Sequence, residues 1–250
     1  MKRLGIIGGL GPLATAYFME LIVRMTDVKT DQEHLEMVIL NRPSIPDRTG
    51  YILDHTKESP LVPMIKSGQE LIDMGADILA IPCVTAHFFL EELQRELPVP
   101  VIHLIHEMGC ILQQGNISKV GILATDGTIQ SGLFQREFKK FGISCVIPHQ
   151  HSQSVVMDII YNHIKAGEII PTNSIQRIVK ELTDRGAMRI VLGCTELSLM
   201  KREYGQAPLY IDALEVLAAS SVRQCDAPLT KVAARLFMKP SVLYHRYRGK

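Results

Sequence analysis

Short apolar runs alternate along the chain with longer segments in which apolar residues recur every three or four positions. The short runs are rich in Val, Ile and Leu and predict buried strands. These strands are expected at Leu4–Ile7, Met37–Leu40, Ile78–Ile81, Val99–Ile102, Val120–Leu123, Ser144–Ile147 and Arg189–Leu192. Buried strands that alternate with helices indicate mostly parallel sheets covered on both faces, which is an α/β fold.

The longer segments predict helices, and most of them end at a Gly or Pro. These helices are expected at Ala14–Met25, Pro63–Met74, Thr85–Leu97, Ile105–Leu112, Ser131–Phe141, Val155–Ala166 and Ser174–Arg185. Between the second strand and the second helix, Pro43, Pro46 and Gly50 predict a loop over Arg42–Gly50.

The pattern restarts near the middle of the chain, which indicates an internal duplication. The run Leu4–Ile7 resembles Val120–Leu123, and the segment around Cys83 resembles the segment around Cys194. We therefore expect two pseudo-symmetric α/β lobes, residues 1–115 and 116–222, with a possible return of the chain to the first lobe near the C-terminus. Residues 223–250 form a basic appendage, and its role is left open.

Composition and charge narrow the function classes. Of the 250 residues, 46% are hydrophobic and 21% are charged, and the formal net charge is +1. This balance is typical of a globular protein and gives no reason to expect nucleic acid or a membrane as a partner. The chain has five widely spaced cysteines and no recognisable export signal, so we expect reduced thiols in the cytoplasm. No Cys-x-x-Cys or clustered Cys/His spacing predicts a metal site.

Two of the cysteines stand at similar strand-to-helix corners, within IPCVTAH and LGCTELS. Cys83 and Cys194 each end a predicted strand and precede a predicted helix. A helix N-terminus stabilises an anion, so both thiols are expected to have a lowered pKa. Thr85 is a candidate cap of the helix after Cys83.

Two thiols at one cleft suit the inversion of a stereocentre. One base removes a proton from one face of a carbon, and an acid returns a proton to the other face. In sheets of this type the ligand cleft lies at the carboxyl ends of the strands, where both corners are predicted. We therefore expect Cys83 and Cys194 to face each other across one cleft.

Six segments together extend this interpretation to a known family. They read GIIGGLGPLAT, NRPSIPDRT, GADILAIPCVTAH, VGILATDGT, IYNHIKAG and GCTELSL. In these segments the chain resembles the cofactor-independent aspartate/glutamate racemases, in their aspartate racemase branch, over about residues 1–222. The resemblance implies two lobes with the active site between them, a homodimer, no cofactor, and aspartate or glutamate as substrate.

The resemblance also implies roles for single residues. Cys194 would deprotonate the L-enantiomer and Cys83 the D-enantiomer, while Arg48 and Lys165 would bind the side-chain carboxylate. The other implied substrate-binding residues lie in the glycine turn, on the loop beside the cleft, and at the helix starts. They are Leu10, Gly11, Asn41, Val84, Thr85, Thr125, Thr128, Thr195 and Glu196. His87 is expected to orient the Cys83 corner.

Val84 departs from the family pattern, in which Asn usually follows the first cysteine. Losing one hydrogen bond at a buried site costs about 1–3 kcal/mol, so the substrate stays open between aspartate and another amino acid. Two alternatives remain at this stage. One is a maleate-type cis–trans isomerase, in which one cysteine adds to a double bond. The other is a non-catalytic protein that binds an acidic metabolite.

Overall fold

Two parallel sheets, each covered by helices, make up the computed structural model, which describes residues 1–169, 172–204 and 209–237. The strands are β1 (Leu4–Gly8), β2 (Met37–Asn41), β3 (Ile78–Ala80), β4 (Lys119–Leu123), β5 (Ser144–Val146), β6 (Arg189–Leu192) and β7 (Tyr210–Asp212). The first sheet has the order β2-β1-β3 and the second has the order β5-β4-β6-β7. The predicted α/β class and the two parallel sheets are confirmed.

Central strands are the most apolar because helices cover both of their faces. Every residue of β1 is buried. This strand pairs with β2 on one side and β3 on the other, so that Gly5 lies opposite Val38 and Leu79. The equivalent central strand of the second sheet, β4, pairs Gly121 with Val146 and with Ile190. The two sheets therefore repeat one arrangement, as the sequence repeat predicts.

Helices lie between the strands and after the last one. They are α1 (Pro12–Met25), α2 (Arg48–Leu53), α3 (Leu61–Asp73), α4 (Leu90–Glu96), α5 (Leu104–Gln114), α6 (Asp126–Gln130), α7 (Leu133–Lys139), α8 (Gln150–Asp158), α9 (Thr172–Asp184), α10 (Thr195–Tyr204), α11 (Ala213–Gln224) and α12 (Lys231–Ala234). Short 3₁₀ helices occupy Asp31–Glu33, Thr85–Phe89 and Arg235–Phe237, and α8 continues as a π-helix over Ile159–Ile164.

The predicted strand Val99–Ile102 is reduced to a single bridge between Leu79 and Val101. Leu79 donates to the carbonyl of Pro100, and Ile102 donates to the carbonyl of Leu79. Proline has no N–H, so Pro100 cannot extend a regular ladder. The bridge occupies the position that β7 takes in the second sheet.

The predicted loop over Arg42–Gly50 was wrong in its last part, because α2 begins at Arg48. Asp47 caps this helix, and its carboxylate accepts the Gly50 N–H at 2.5 Å. Pro43 and Pro46 precede the helix and do not interrupt it. The cap brings Arg48 and Thr49 to buried positions.

The boundaries of the other helices also differ from the predicted ones. The predicted helix Thr85–Leu97 begins as a 3₁₀ helix before α4, and Ser131–Phe141 contributes only α7. The predicted helix Val155–Ala166 begins earlier, at Gln150, and ends in the π-helix. The strand β7 was not predicted, because three residues are too short to show a pattern.

After β7 the chain returns to the first sheet's side of the molecule. Helix α11 packs against α1 and α5. The segment that follows is bonded to the N-terminal region: Lys2 donates to the Cys225 carbonyl, and Thr230 donates to the Met25 carbonyl. Residues 238–250 of the predicted basic appendage lie outside the described residues. Within the described part of the chain, no helix has the length and apolar character needed to cross a membrane.

A glycine turn after β1 sets the position of Leu10 and Gly11. Gly9 has φ +91°, a conformation that side chains rarely adopt. A Cβ there would lie 2.4 Å from backbone atoms of Arg42. The Gly9 N–H donates to Thr15 Oγ1 at 3.0 Å, which ties the turn to the first helical turn of α1. The turn therefore needs glycine for both conformation and space.

Gly9→Ala and Gly142→Ala separate these two requirements. Gly142 has φ +70° but no neighbour within 4 Å of an added Cβ, so we expect a loss of about 1 kcal/mol in the free energy of unfolding. Gly9→Ala adds a backbone clash, so we expect a loss of about 3 kcal/mol or more. Urea unfolding measures both values. Equal losses in the two variants would contradict the packing argument.

Candidate active site

The two cysteine corners predicted from the sequence lie at the carboxyl ends of matching strands. Cys83 follows β3, and its N–H donates to the Ile81 carbonyl at 2.7 Å. Cys194 follows β6 and directly precedes α10. Both thiols are buried, each with 6% of the residue exposed. Each corner belongs to a different sheet.

One narrow pocket contains both cysteines. The remaining residues that line it are Leu10, Asp47, Arg48, Thr49, Val84, Thr85, Thr125, Tyr161, Lys165, Thr195 and Glu196. Its walls are close together and leave room for about one water molecule. Most of the predicted site residues are therefore neighbours in space, although they come from segments far apart in the sequence.

Three predicted residues lie elsewhere. Gly11 lines an adjoining cavity of about 870 Å³, which shares Asp47, Arg48, Lys165 and Glu196 with the two-cysteine pocket. Thr128 is fully buried behind the pocket. Asn41 ends β2 with an exposed side chain and is not part of the pocket lining.

Threonine hydroxyls from both halves of the chain meet beside the pocket. Thr85 Oγ1 lies 3.1 Å from Thr125 Oγ1 and 2.9 Å from Thr128 Oγ1. Thr49 Oγ1 donates to Thr125 Oγ1 at 3.2 Å. Thr85 was expected to cap the helix after Cys83, but its hydroxyl joins this cluster instead, and no side chain caps that helix. The cluster connects α2 and the Cys83 corner to the start of α6.

Arg48 is a buried cation whose described partners are all uncharged. Its guanidinium donates to the carbonyls of Ile45, Pro46 and Leu10 at 2.9–3.1 Å, while the Nε has no partner. Among the described residues no carboxylate lies within ion-pair distance of it, and the residue is only 8% exposed. A buried guanidinium of this kind attracts an anion into the pocket.

Glu196 connects Cys194 to Lys165. The Cys194 thiol donates to Glu196 Oε2 at 2.9 Å, and Lys165 Nζ lies 3.7 Å from Glu196 Oε1. The Lys165 ammonium also lies 4.4 Å from the centre of the Tyr161 ring, a cation–π contact. The π-helix carries Tyr161 and ends directly before Lys165, and such π segments are frequent at functional sites.

The expectation of a lowered pKa at Cys194 was wrong. Burial raises the pKa of this thiol well above its usual value, and the Glu196 carboxylate adds to the rise, whereas Lys165 opposes it. Burial by itself would lower the pKa of Lys165, but the Glu196 carboxylate and smaller contributions from Tyr161 and the two thiols raise it overall. At rest, Cys194 is therefore a protonated acid and Lys165 is a cation.

Sequence reasoning missed three residues that line the pocket, namely Asp47, Thr49 and Tyr161. Asp47 and Thr49 flank Arg48, so the α2 cap carries all three to the pocket. Burial raises the pKa of Tyr161, and the Thr49 side chain opposes the rise. The segment IYNHIKAG holds Tyr161 four residues before Lys165, and this one-turn spacing is a signal that could have identified it.

His87 contacts the backbone at the Cys83 corner. Its Nδ1 lies 3.0 Å from the Cys83 carbonyl oxygen, and its Nε2 lies 3.4 Å from the Ile102 carbonyl oxygen. Burial lowers its pKa to about 4, so the ring is neutral near pH 7. The neutral ring can donate one proton, and the shorter contact assigns it to the Cys83 carbonyl. The expectation that His87 orients this corner fits these contacts.

All five cysteines are free thiols. In the part of the chain that the structure describes, no group of three or more His, Cys, Asp or Glu side chains is arranged to hold a metal ion.

Comparison with known proteins gives one family over most of the chain. A family described as Asp/Glu/Hydantoin racemase matches residues 7–220. The broad specificity amino-acid racemase RacX of Bacillus subtilis (strain 168) is 27% identical over 88% of this chain and 96% of its own length. The glutamate racemase of Aquifex aeolicus (strain VF5) is 32% identical, over 53% of this chain and 51% of its own length.

Solved structures agree with this result. The structure of Picrophilus torridus aspartate racemase has a TM-score of 0.81 and 29% identity, and covers 95% of this chain and 99% of its own. The glutamate racemase RacE1 of Bacillus anthracis shares the fold, with a TM-score of 0.63 and 19% identity over 92% of this chain and 84% of its own.

A pH titration of stability tests the role of His87. Its pKa is about 4 when folded and 6.5 in the reference state, so the neutral ring favours folding above pH 6.5. That contribution is lost as the pH falls through the folded pKa, and the difference corresponds to about 3 kcal/mol. We expect urea unfolding to show this loss between pH 6.5 and 4 in the wild type and not in His87→Gln. His151→Gln, at an exposed position, is the control; an unchanged slope in His87→Gln would refute the assignment.

Proposed function

The chain belongs to the Asp/Glu/hydantoin racemase family, and from that premise we propose that it interconverts L- and D-aspartate without a cofactor, using Cys83 and Cys194 as two bases. Its relatives and structural neighbours make it an isomerase of the racemase type. That class separates it from a non-catalytic binding protein. Substrate and mechanism are the parts proposed here.

The observation that carries the proposal is the shared pocket of the two cysteines. Each thiol comes from the carboxyl edge of a different sheet, and both line the same pocket. Lys165 lines this pocket too, and both thiols contribute to the rise in its pKa. A stereocentre bound between two such thiols can lose a proton to one and gain a proton from the other.

The reaction needs one thiolate and one thiol at a time. In the L-to-D direction, the Cys194 thiolate takes the Cα proton, and the Cys83 thiol delivers its proton to the opposite face of the carbanion. The positions are reversed in the D-to-L direction. Burial and Glu196 raise the pKa of Cys194, so its activation is a separate step that depends on the groups around it.

Two features favour an acidic amino acid. Arg48 supplies an unneutralised guanidinium, and Lys165 supplies an ammonium at the same pocket. The threonine hydroxyls at Thr85, Thr125 and Thr195 provide donors for the α-carboxylate. The similarity to an aspartate racemase structure supports aspartate, and the similarity to a relative named a broad specificity racemase keeps glutamate as the second candidate.

Val84 lines the pocket where the related racemases usually have Asn. Its side chain is 1% exposed and belongs to the apolar core. It offers no hydrogen bond to a substrate, so the α-carboxylate must be held by the threonines. A homodimer and a cytoplasmic location also belong to the proposal and come from the family resemblance and the free thiols.

Cysteine substitutions test the two-base proposal. We expect Cys83→Ser and Cys194→Ser each to lower kcat for the racemisation of L-aspartate by about 10³-fold or more, because a serine hydroxyl is a far weaker acid than a thiol. Polarimetry of the reduced protein without added cofactor measures the rate. Cys110→Ser, outside the pocket, is the matched control and should retain wild-type activity. Full activity in either pocket variant would refute the two-base mechanism.

Val84→Asn tests whether a side-chain amide at this position improves substrate binding. The new side chain can donate to the bound substrate, so we expect KM for aspartate to fall by about tenfold. Without substrate the buried amide lacks a partner, so the free energy of unfolding should fall by about 1–3 kcal/mol. Val84→Thr controls for polarity at nearly constant shape. A raised KM with Val84→Asn would show that the substrate does not approach this position.

A further inference from the structure

Glu196 links the proposed base of the L-enantiomer to the proposed cation for the substrate's side chain. One carboxylate oxygen accepts a hydrogen bond from the Cys194 thiol at 2.9 Å, and the other lies 3.7 Å from Lys165 Nζ. Thr195 Oγ1 donates to the same oxygen as Cys194, at 3.3 Å. The carboxylate is thus held between a thiol and an ammonium.

The surroundings keep this carboxylate in place and away from solvent. Glu196 is 5% exposed. A Cβ at Gly11 would lie 3.0 Å from Glu196 Oε1, so the glycine leaves the space that the carboxylate uses. Glu196 therefore occupies the position beside Lys165 that the proposed substrate carboxylate would take.

We propose that Glu196 couples recognition of an acidic side chain to activation of Cys194: a substrate carboxylate takes Lys165 from Glu196, and Glu196 then accepts the Cys194 proton. The inference rests on the proposed two-cysteine racemisation. It adds a positioning and proton-accepting role for Glu196, and it predicts that the substrate's side chain affects turnover as well as binding.

Electrostatics gives the direction of the step. A nearby cation stabilises the ionised form of a carboxylate, so losing Lys165 makes Glu196 a stronger proton acceptor. When Lys165 moves to the substrate, it also stabilises the Cys194 thiolate less. This effect is smaller than the effect on Glu196, because Lys165 is the direct ion-pair partner of Glu196. In addition, the ammonium on the substrate's α-carbon places a new cation beside the thiolate. The other charged or titratable groups that line this pocket are Asp47, Arg48, Cys83 and Tyr161.

The protons balance over one turnover. Cys194 Sγ–H breaks and Glu196 Oε2–H forms, which leaves a thiolate and a neutral carboxylic acid. The thiolate then takes the Cα proton, and Cys83 gives its own proton to the other face. Before the next L-enantiomer reacts, protonated Glu196 releases its proton to solvent, and the Cys83 thiolate takes one up.

A neutral side chain cannot displace Glu196 in this way. Asparagine has the shape of aspartate without the side-chain charge, so it leaves the Lys165–Glu196 pair intact and Cys194 protonated. The proposal therefore predicts slow turnover of bound asparagine in the wild type, beyond any weakness in its binding.

Kinetics of Glu196→Gln test the coupling, with α-proton exchange of L-aspartate as the readout. The amide keeps the shape but cannot accept the proton, so kcat should fall by about 100-fold or more, while KM should not rise because Lys165 loses its competitor. Glu196→Asp should retain more kcat than Glu196→Gln, because it keeps a carboxylate. Glu215→Gln, which removes the partner of Lys201 at 2.7 Å outside the pocket, should retain wild-type kinetics. Unchanged kcat in Glu196→Gln, or a fall matched by Glu215→Gln, would overturn the proposal.

A second measurement does not need activity. In the Cys83→Ser variant, saturation with L-aspartate should increase the ultraviolet absorbance of thiolate, because its side-chain carboxylate can take Lys165 from Glu196 and its ammonium lies beside the thiolate. L-asparagine, which carries an amide in place of that carboxylate, should give a smaller rise, and the Cys83→Ser, Glu196→Gln double variant should give none. A rise that persists in the double variant, or no rise in the single variant, would overturn the proposal.

The two measurements separate this inference from the proposed function. If the wild type racemises aspartate and Glu196→Gln is unaffected, the coupling fails and the two-base mechanism stands. If the wild type exchanges no amino acid, the proposed function fails, and the thiolate measurement still decides whether a dicarboxylate moves the Cys194 proton.

Discussion

Four threonine hydroxyls, two from each half of the chain, join the carboxyl ends of two separate parallel sheets. Thr49 and Thr85 come from the first half, and Thr125 and Thr128 come from the second, with oxygen–oxygen distances of 2.9–3.2 Å. Buried hydroxyls are stable only when they are paired, so this cluster favours one arrangement of the two halves. The shared pocket of Cys83 and Cys194 depends on that arrangement.

The two cations of this pocket, Arg48 and Lys165, have few anionic partners among the described residues. Arg48 is held by backbone carbonyls, and Lys165 has only Glu196 within ion-pair distance among the described residues. An arrangement of this kind is costly without a ligand and becomes favourable when an anion enters. Because the walls leave room for about one water molecule, a substrate must separate them, and the Lys165–Glu196 contact is one that it can replace.

The two cysteine corners could be predicted from the sequence because each follows a strand of a parallel sheet, which places it at the carboxyl edge of its own sheet. The substrate-binding residues, Arg48 and Lys165 among them, were implied by the resemblance to a known family. Asp47, Thr49 and Tyr161 were missed because their positions depend on a helix cap and a π-helix, which the hydropathy pattern does not show. The state of Cys194 was predicted wrongly because the helix-start argument ignored the burial of the thiol and the nearby Glu196 carboxylate, which both raise its pKa. The division of the chain into lobes at residue 115 stays a prediction.

The most direct test of the two-base account is the isotope content of both enantiomers early in the reaction. L-aspartate is incubated in D2O with the reduced protein, and the reaction is stopped while little has been inverted. With two bases, the new D-aspartate carries deuterium at the α-carbon because its proton comes from the second thiol, while unreacted L-aspartate keeps its original proton. Deuterium that accumulates in L-aspartate as fast as inversion occurs, or D-aspartate that retains the original proton, would indicate a single base and contradict the account.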